Sequence, residues 1–185
     1  MTEAGFDLRR LPTHTFEWLR DWYYAEMARS GQSEEGLAGP CMNQHAAPTL
    51  MVHLPQTGEF SKDRLSRELQ EELEGWYGKG PLRLTSIYGI RRYVNGSVLR
   101  MHVDTANTHV VSGIINVDQQ VEEPWLLKIL DHDDQEHDLP MRSGDLLLYE
   151  SAKLLHGRPE PFKGDFYDNI FIHYMPVSGW DYNWI

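Results

Sequence analysis

The stretch LRLTSIYGIRRYVNGSVLRMHVD, residues 82–104, decides how the rest of the chain reads. Leu82 to Tyr88 alternates side chains with the period of two that marks a β-strand. Ile90 to Tyr93 continues the pattern. Val94-Asn95-Gly96-Ser97 is a turn, and Asn-Gly is a strong hairpin signal because both residues tolerate positive φ. Val98 to Asp104 is the next strand, and it ends on His102-Val103-Asp104. Residues two apart on a strand leave the same face, so this imidazole and this carboxylate project together.

The same texture runs onward from there. Val110–Val117, Trp125–Leu130, Leu146–Glu150, Leu154–Arg158 and Asn169–Tyr174 are further short apolar runs. Pro124, the acidic segment Asp131–Asp138 and the turn Arg142-Ser143-Gly144-Asp145 separate them. Short strands divided by turn signals, with no helix between, indicate an antiparallel sandwich or barrel. Upstream the texture changes. Thr13 or Thr15 can cap a helix running through Met27, whose large apolar residues recur at helical spacing and which Gly31 ends. Its aromatic stripe packs on the sheet or serves as a partner-binding face. Gly31–Pro48 is a loop that either covers a site or is plain surface. Thr49–Leu54 is a short strand, in which His53 is a packed or edge residue. Ser61 caps a second helix with Leu65, Leu69, Leu73 and Trp76 on one stripe, and Gly78-Lys79-Gly80-Pro81 stops it. The expected fold class is mainly β (α+β), as one domain over residues 1–185. Residues 1–81 are its helical and loop support, with two N-terminal helices packed on a β-rich core at residues 82–176.

The whole chain narrows the function. It has 185 residues, 41% of them hydrophobic, enough for one domain with a core. A formal charge of −11 argues against gripping nucleic acid or an anionic membrane. A single cysteine, Cys41, allows no internal disulfide. With no signal-peptide pattern at Met1–Leu11 and no transmembrane-length run, a cytoplasmic location is expected.

His102 and Asp104 lie among Val98, Leu99, Met101 and Val103, and a second histidine, His156, among Leu154, Leu155 and Gly157. Burying such groups is costly without a partner or a metal. Two imidazoles and one carboxylate on one face of an iron make the facial triad of non-haem Fe(II) oxygenases. The alternative is a His–Asp hydrogen bond beside an unrelated core histidine. A second His-x-Asp-like run, His132-Asp133-Asp134, sits in an acidic turn with no preorganised surroundings, and we set it aside.

In these residues the sequence resembles the 2-oxoglutarate and Fe(II)-dependent oxygenases, in particular their prolyl 4-hydroxylase-like branch, over roughly Thr85 to Pro176. His102, Asp104 and His156 match the family's metal motif. Arg92-Tyr93-Val94-Asn95-Gly96 is similar to its entry to the metal strand, Ser143–Tyr149 to its turn and strand before the last ligand, and His156–Gly164 to the loop after it. The resemblance implies a double-stranded β-helix (jelly-roll) core. It also implies catalytic and metal-binding roles for His102, Asp104 and His156, with Fe(II), the cosubstrate 2-oxoglutarate and dioxygen as cofactors. The implied reaction is oxidative decarboxylation of 2-oxoglutarate to succinate, coupled to hydroxylation of an unactivated C–H bond.

The chain departs from the family in two places. Phe166 stands where the family has a Lys or Arg for the distal carboxylate of 2-oxoglutarate, and Leu99 stands where it often has a tyrosine. A carboxylate in a closed pocket still demands a cation. Arg158, two residues beyond His156 on the same expected strand face, is the candidate, with Lys128 next; Lys163 is expected at the surface. Tyr93 is a candidate hydrogen-bond donor to the cosubstrate. Asn116, Asn169 and His173 are candidate pocket residues. A peptidyl prolyl residue, a free amino acid and another small metabolite are all admissible substrates. A non-catalytic, cupin-like metal- or ligand-binding jelly roll is the competing reading.

Overall fold

The computed structural model describes residues 3–30, 32–33 and 49–180. Most of the Gly31–Pro48 loop, Cys41 and the end of the C-terminal segment lie outside the described residues. In chain order the elements are β1 (Phe6–Arg10), α1 (Thr13–Ser30), β2 (Gln32–Ser33), β3 (Leu50–Val52), α2 (Lys62–Tyr77), β4 (Leu82–Tyr93), β5 (Leu99–His102), β6 (Val111–Val121), β7 (Leu127–Leu130), β8 (Glu136–Leu139), β9 (Asp145–Tyr149), β10 (His156–Arg158) and β11 (Gly164–Pro176). The strands form two antiparallel sheets. The larger has the order β1-β9-β6-β11-β4-β3-β2, and the smaller β5-β10-β7-β8. Two such sheets face to face, with sequential strands distributed between them, make a jelly roll.

Both faces of the larger sheet are covered, which explains why its strands are nearly continuous apolar runs. Along β6, Val111, Ile115 and Val117 belong to the helix-side core with Leu19 and Tyr23 of α1 and Leu65, Leu69 and Leu73 of α2. Ile114 instead joins Leu127, Ile129, Leu147 and Tyr149 between the two sheets. The period of two thus sorts one strand into two cores. Helix α2 has the expected ends. The Ser61 hydroxyl accepts from Arg64 N at 3.2 Å, and Gly78 takes the left-handed conformation while its N–H donates to Glu74 O. Helix α1 begins at Thr13 itself, directly after Pro12, so neither Thr13 nor Thr15 is its cap. Arg92 anchors this helical layer: its guanidinium donates two bonds to the fully buried Asp168 carboxylate, at 2.8 and 2.6 Å, and lies 5.8 Å from the Tyr23 ring. No described helix is long and apolar enough to cross a membrane.

Several local expectations need correction. Asn95-Gly96 does turn the chain, with Gly96 at φ +84°, but the turn carries it from the larger sheet to the smaller one. β4 and β5 are not a hairpin, because β4 takes β11 and β3 as partners while β5 takes β10. Part of the acidic Asp131–Asp138 segment is strand β8, paired with β7. The N-terminal support also supplies strands: β1 adds to β9 at one edge of the larger sheet, and β3 to β4 near the other. His53 is exposed, with Nδ1 2.8 Å from Tyr88 O, an edge residue.

Candidate active site

Strand β5 ends at His102, so Asp104 stands just past the strand instead of on it. Its backbone N–H donates to Ser151 O at 2.8 Å, which ties the ligand loop to the turn after β9. His156 lies directly across the β5–β10 ladder from His102. The ladder is unusually close at the next residue. A Cβ on Gly157 would stand 2.7 Å from Arg100 O and 2.8 Å from Leu99 O, so only glycine lets these strands approach and bring the two imidazoles together. The rings are 4.5 Å apart between centroids. Donor atoms of His102, Asp104 and His156 all lie within 4.8 Å of one another.

The tautomers follow from the backbone. His102 Nδ1 is 2.7 Å from Arg100 O, and His156 Nδ1 is 2.8 Å from Leu154 O. A carbonyl only accepts, so each Nδ1 carries the hydrogen and each Nε2 keeps its lone pair for a metal. Burial opposes ionisation of Asp104, yet the hydrogen-bonding His102 and the nearby His156 and His173 outweigh it and hold the carboxyl down at about 2. Burial pushes His156 down to about 4. Burial also lowers His102, but Asp104 more than compensates and leaves it above the ordinary imidazole range. One anionic oxygen donor and two imidazole nitrogens is a set that suits a divalent iron.

An open cavity of about 660 Å3 surrounds these donors. Arg91, Tyr93, Arg100, His109, Tyr149 and His173 also line it. Tyr149 OH makes a long contact of 3.5 Å to Asp104 Oδ2. His173 has a fixed tautomer of its own. Ser151 Oγ donates to His109 O at 2.8 Å, so the 2.6 Å contact between Ser112 and Ser151 has Ser112 donating. The Ser112 oxygen must then accept from His173 Nδ1 at 2.7 Å. His173 Nε2 is therefore an acceptor, and no described residue hydrogen-bonds to it.

The remaining sequence candidates separate. Arg158 is on the inward face with His156 but lies deeper, beneath the cavity wall, and is 1% exposed. Its guanidinium donates to Trp125 O and to Tyr167 OH at 3.1 Å, and sits 5.0 Å from the Trp125 ring and 4.7 Å from that of Tyr167. Among the described residues no carboxylate pairs with it. Tyr93 connects the two levels: it lines the cavity, and its ring meets Trp125 edge-on at 5.1 Å. Lys128 points to the outside, where it pairs with Glu136 at 2.7 Å and Asp138 at 2.9 Å. Lys163 pairs with Glu123 at the surface. Asn116 and Asn169 are buried and do not line the cavity. His132 is directed to Glu150, away from the three donors. Sequence reasoning missed Arg91, Arg100, His109 and Tyr149. Arg100 stands two residues before His102, but a register shift between β5 and β10, which pairs Leu99 with Arg158, interrupts the simple alternation there.

The fold is the jelly roll found in solved 2-oxoglutarate–Fe(II) oxygenase structures, and it brings together a His-x-Asp…His set of donors that could hold a metal ion. No family model matches the sequence, and no curated protein is similar to it. Solved structures are. A prolyl-4-hydroxylase from Pseudomonas putida superposes with a TM-score of 0.64 at 14% identity, covering 95% of each chain. A prolyl hydroxylase from Trichoplax adhaerens, in complex with a peptide fragment of the hypoxia inducible factor oxygen degradation domain, gives 0.65 at 10% identity over 94% of this chain and 84% of that one. HygX from Streptomyces hygroscopicus, with nickel, 2-oxoglutarate and hygromycin B bound, gives 0.62 at 16% identity over 94% and 84%.

Proposed function

We propose that this chain is an Fe(II)- and 2-oxoglutarate-dependent dioxygenase that hydroxylates an unactivated C–H bond. The observation that carries the reading is the donor set itself. Two imidazoles have Nδ1–H tied to the carbonyl two residues upstream, and both rings meet the Asp104 carboxylate in an open cavity. His102, Asp104 and His156 would hold the iron. Fe(II), with 2-oxoglutarate and dioxygen, supplies the oxidising power when bound.

The chain's own residues orient the reactants and exclude water. Arg158 would hold the distal carboxylate of 2-oxoglutarate. Alternate residues on one strand face are about 6.6 Å apart, a spacing suited to a five-carbon diacid between His156 and Arg158. A guanidinium buried with no carboxylate among the described residues lacks the compensation such a charge needs, and an incoming carboxylate provides it. Tyr93 and Tyr167 are cross-strand partners, each edge-on to Trp125, and would add phenol donors to that carboxylate. Leu99, Ile114 and Phe171 give the cavity apolar walls. The presence of both a peptide complex and a hygromycin B complex among the structural neighbours supports a peptide or a small molecule as substrate.

The test is succinate formation from 2-oxoglutarate by iron-loaded protein. The reading expects turnover in the wild type and its loss in His102→Ala. No succinate from fully iron-loaded protein, with or without candidate substrates, would replace the enzyme with a non-catalytic jelly-roll binder.

A further inference from the structure

Of the three donor residues, Asp104 alone is not held by a strand, since β5 stops at His102 and His156 opens β10. Its carboxylate is not fixed by its own contacts either. Oδ1 lies 3.6 Å from His102 Nε2, and Oδ2 lies 3.5 Å from Tyr149 OH and 3.7 Å from His173 Nδ1. All three are longer than a strong charge-assisted bond, which spans about 2.7–2.9 Å. The short bond that Asp104 does make is through its main chain, where N–H donates to Ser151 O at 2.8 Å. The direction of the carboxylate is therefore set through the backbone.

Ser151 holds both ends of the loop that begins at Asp104. It is fully buried in the turn after β9. Its carbonyl takes the Asp104 N–H, and its hydroxyl donates to His109 O at 2.8 Å. Between these ends the loop makes turn bonds from Thr108 N and His109 N to Thr105 O. Two outer anchors join them, Trp180 Nε1 to Ala106 O and Thr85 Oγ1 to Thr108 O, and neither touches the residue that carries the ligand. The Ser151 hydroxyl is itself aimed. Its proton goes to His109 O, so it accepts from Ser112 Oγ at 2.6 Å, and Ser112 accepts in turn from His173 Nδ1 at 2.7 Å. Ser112 is on β6, across the ladders from Tyr149 of β9 and His173 of β11. The chain of bonds thus runs from the middle of the larger sheet to the ligand loop.

We infer that Ser151 is the positioning residue for the carboxylate ligand, with Ser112 turning its hydroxyl toward the loop. Ser151 does not touch the metal and acts through Asp104. A carboxylate carried just past a strand end stays beside the two imidazoles only while both ends of its loop are fastened. Removing the hydroxyl takes a donor from His109 O and frees the far end of the loop, so the carboxylate spends less time directed at the metal. Groups that orient a metal ligand are worth about 10–100-fold in metal affinity. This assignment rests on the reading of His102, Asp104 and His156 as the metal ligands.

The experiment is a titration of metal-free protein with Co(II), followed by calorimetry for affinity and by the visible d–d absorption for coordination geometry. The variants are Ser151→Ala and Ser112→Ala. Ser66→Ala is the control, since it removes another buried hydroxyl, 3.1 Å from Tyr174 OH on the helix side of the larger sheet. The expected result is that Ser151→Ala binds Co(II) about tenfold more weakly or worse, with an altered d–d band. Ser112→Ala should move affinity and band in the same direction by a smaller amount, and Ser66→Ala should leave both as in the wild type. A merely structural role would lower the urea midpoint of Ser151→Ala and leave affinity and band unchanged. The inference is overturned if Ser151→Ala matches the wild type in both, or if Ser66→Ala weakens Co(II) as much. Should Ser151→Ala fail to fold, wild-type affinity and band in Ser112→Ala overturn it. His156→Ala separates the two levels. No Co(II) binding by the wild type, or binding untouched by His156→Ala, removes the metal reading itself. Binding lost in His156→Ala but untouched by Ser151→Ala removes only the positioning role.

Discussion

Replacing Arg158 with methionine separates cosubstrate binding from folding. In the free protein the substitution removes a guanidinium that is 1% exposed and has no described carboxylate partner. Relief of its desolvation is worth several kcal/mol. Against this stand the donated bonds to Trp125 O and Tyr167 OH, about 1 kcal/mol each, and the contacts with the Trp125 and Tyr167 rings, about 1 kcal/mol each. These terms nearly cancel, so denaturant unfolding should shift by no more than about 2 kcal/mol. Cosubstrate binding has no such cancellation. Truncating one partner of a buried charge pair costs about 3 kcal/mol, which makes the Kd for 2-oxoglutarate roughly 150-fold weaker. The assay is titration of 2-oxoglutarate into Ni(II)-loaded protein, with Arg158→Lys expected to recover part of the loss. Wild-type affinity in a folded Arg158→Met protein would refute the reasoning, and Arg91 on the cavity wall would become the cation to test.

Further expectations follow from the site's construction. Gly157→Ala drives a Cβ to 2.7 Å from the Arg100 carbonyl, a backbone atom that cannot swing away; overpacking of this kind costs about 1–3 kcal/mol, and both the melting temperature and bound metal per chain should fall. In metal-free protein, burial lowers His156 to about 4 and His173 to about 3. The unfolded chain then takes up protons from about pH 6.5 downward while the folded one does not, so stability is full above that pH and is lost as pH falls toward 4. His156 alone is worth about 3 kcal/mol over that interval, and equal urea midpoints at pH 7.5 and pH 5 would contradict the burial argument. Asp168→Asn leaves Arg92 without its carboxylate beneath α1, and urea unfolding should register a loss of about 3 kcal/mol.

Much of the fold was legible because its determinants are local. Ser61 and Gly78 mark α2 at both ends, and the alternation in residues 82–93 marks β4. The metal donors were legible because His102 and Asp104 are close in sequence and His156 sits in a matching apolar run. What escaped reading depends on how the strands are distributed between sheets. Asn95-Gly96 signals a turn, but nothing local states that the next strand leaves for the opposite sheet. Asp104 read as a strand residue because Val103 continues the apolar run, whereas the pull of Ser151 O comes from far along the chain. Lys128 read as the second candidate for the cosubstrate's carboxylate, but β8 brings Glu136 and Asp138 to pair with it on the outside. Arg91 and Arg92 are adjacent and chemically alike. Only the sheet's two faces distinguish the one that lines the cavity from the one that pins the helix.

The central claim is that His102, Asp104 and His156 hold one iron to which 2-oxoglutarate binds. Anaerobic titration of Fe(II) into protein with 2-oxoglutarate, followed by the visible charge-transfer absorption of the iron–keto acid chelate, tests it most directly. The account predicts a band that saturates at one iron per chain and is absent in His156→Ala. No band in the wild type, or an undiminished band in His156→Ala, would contradict it.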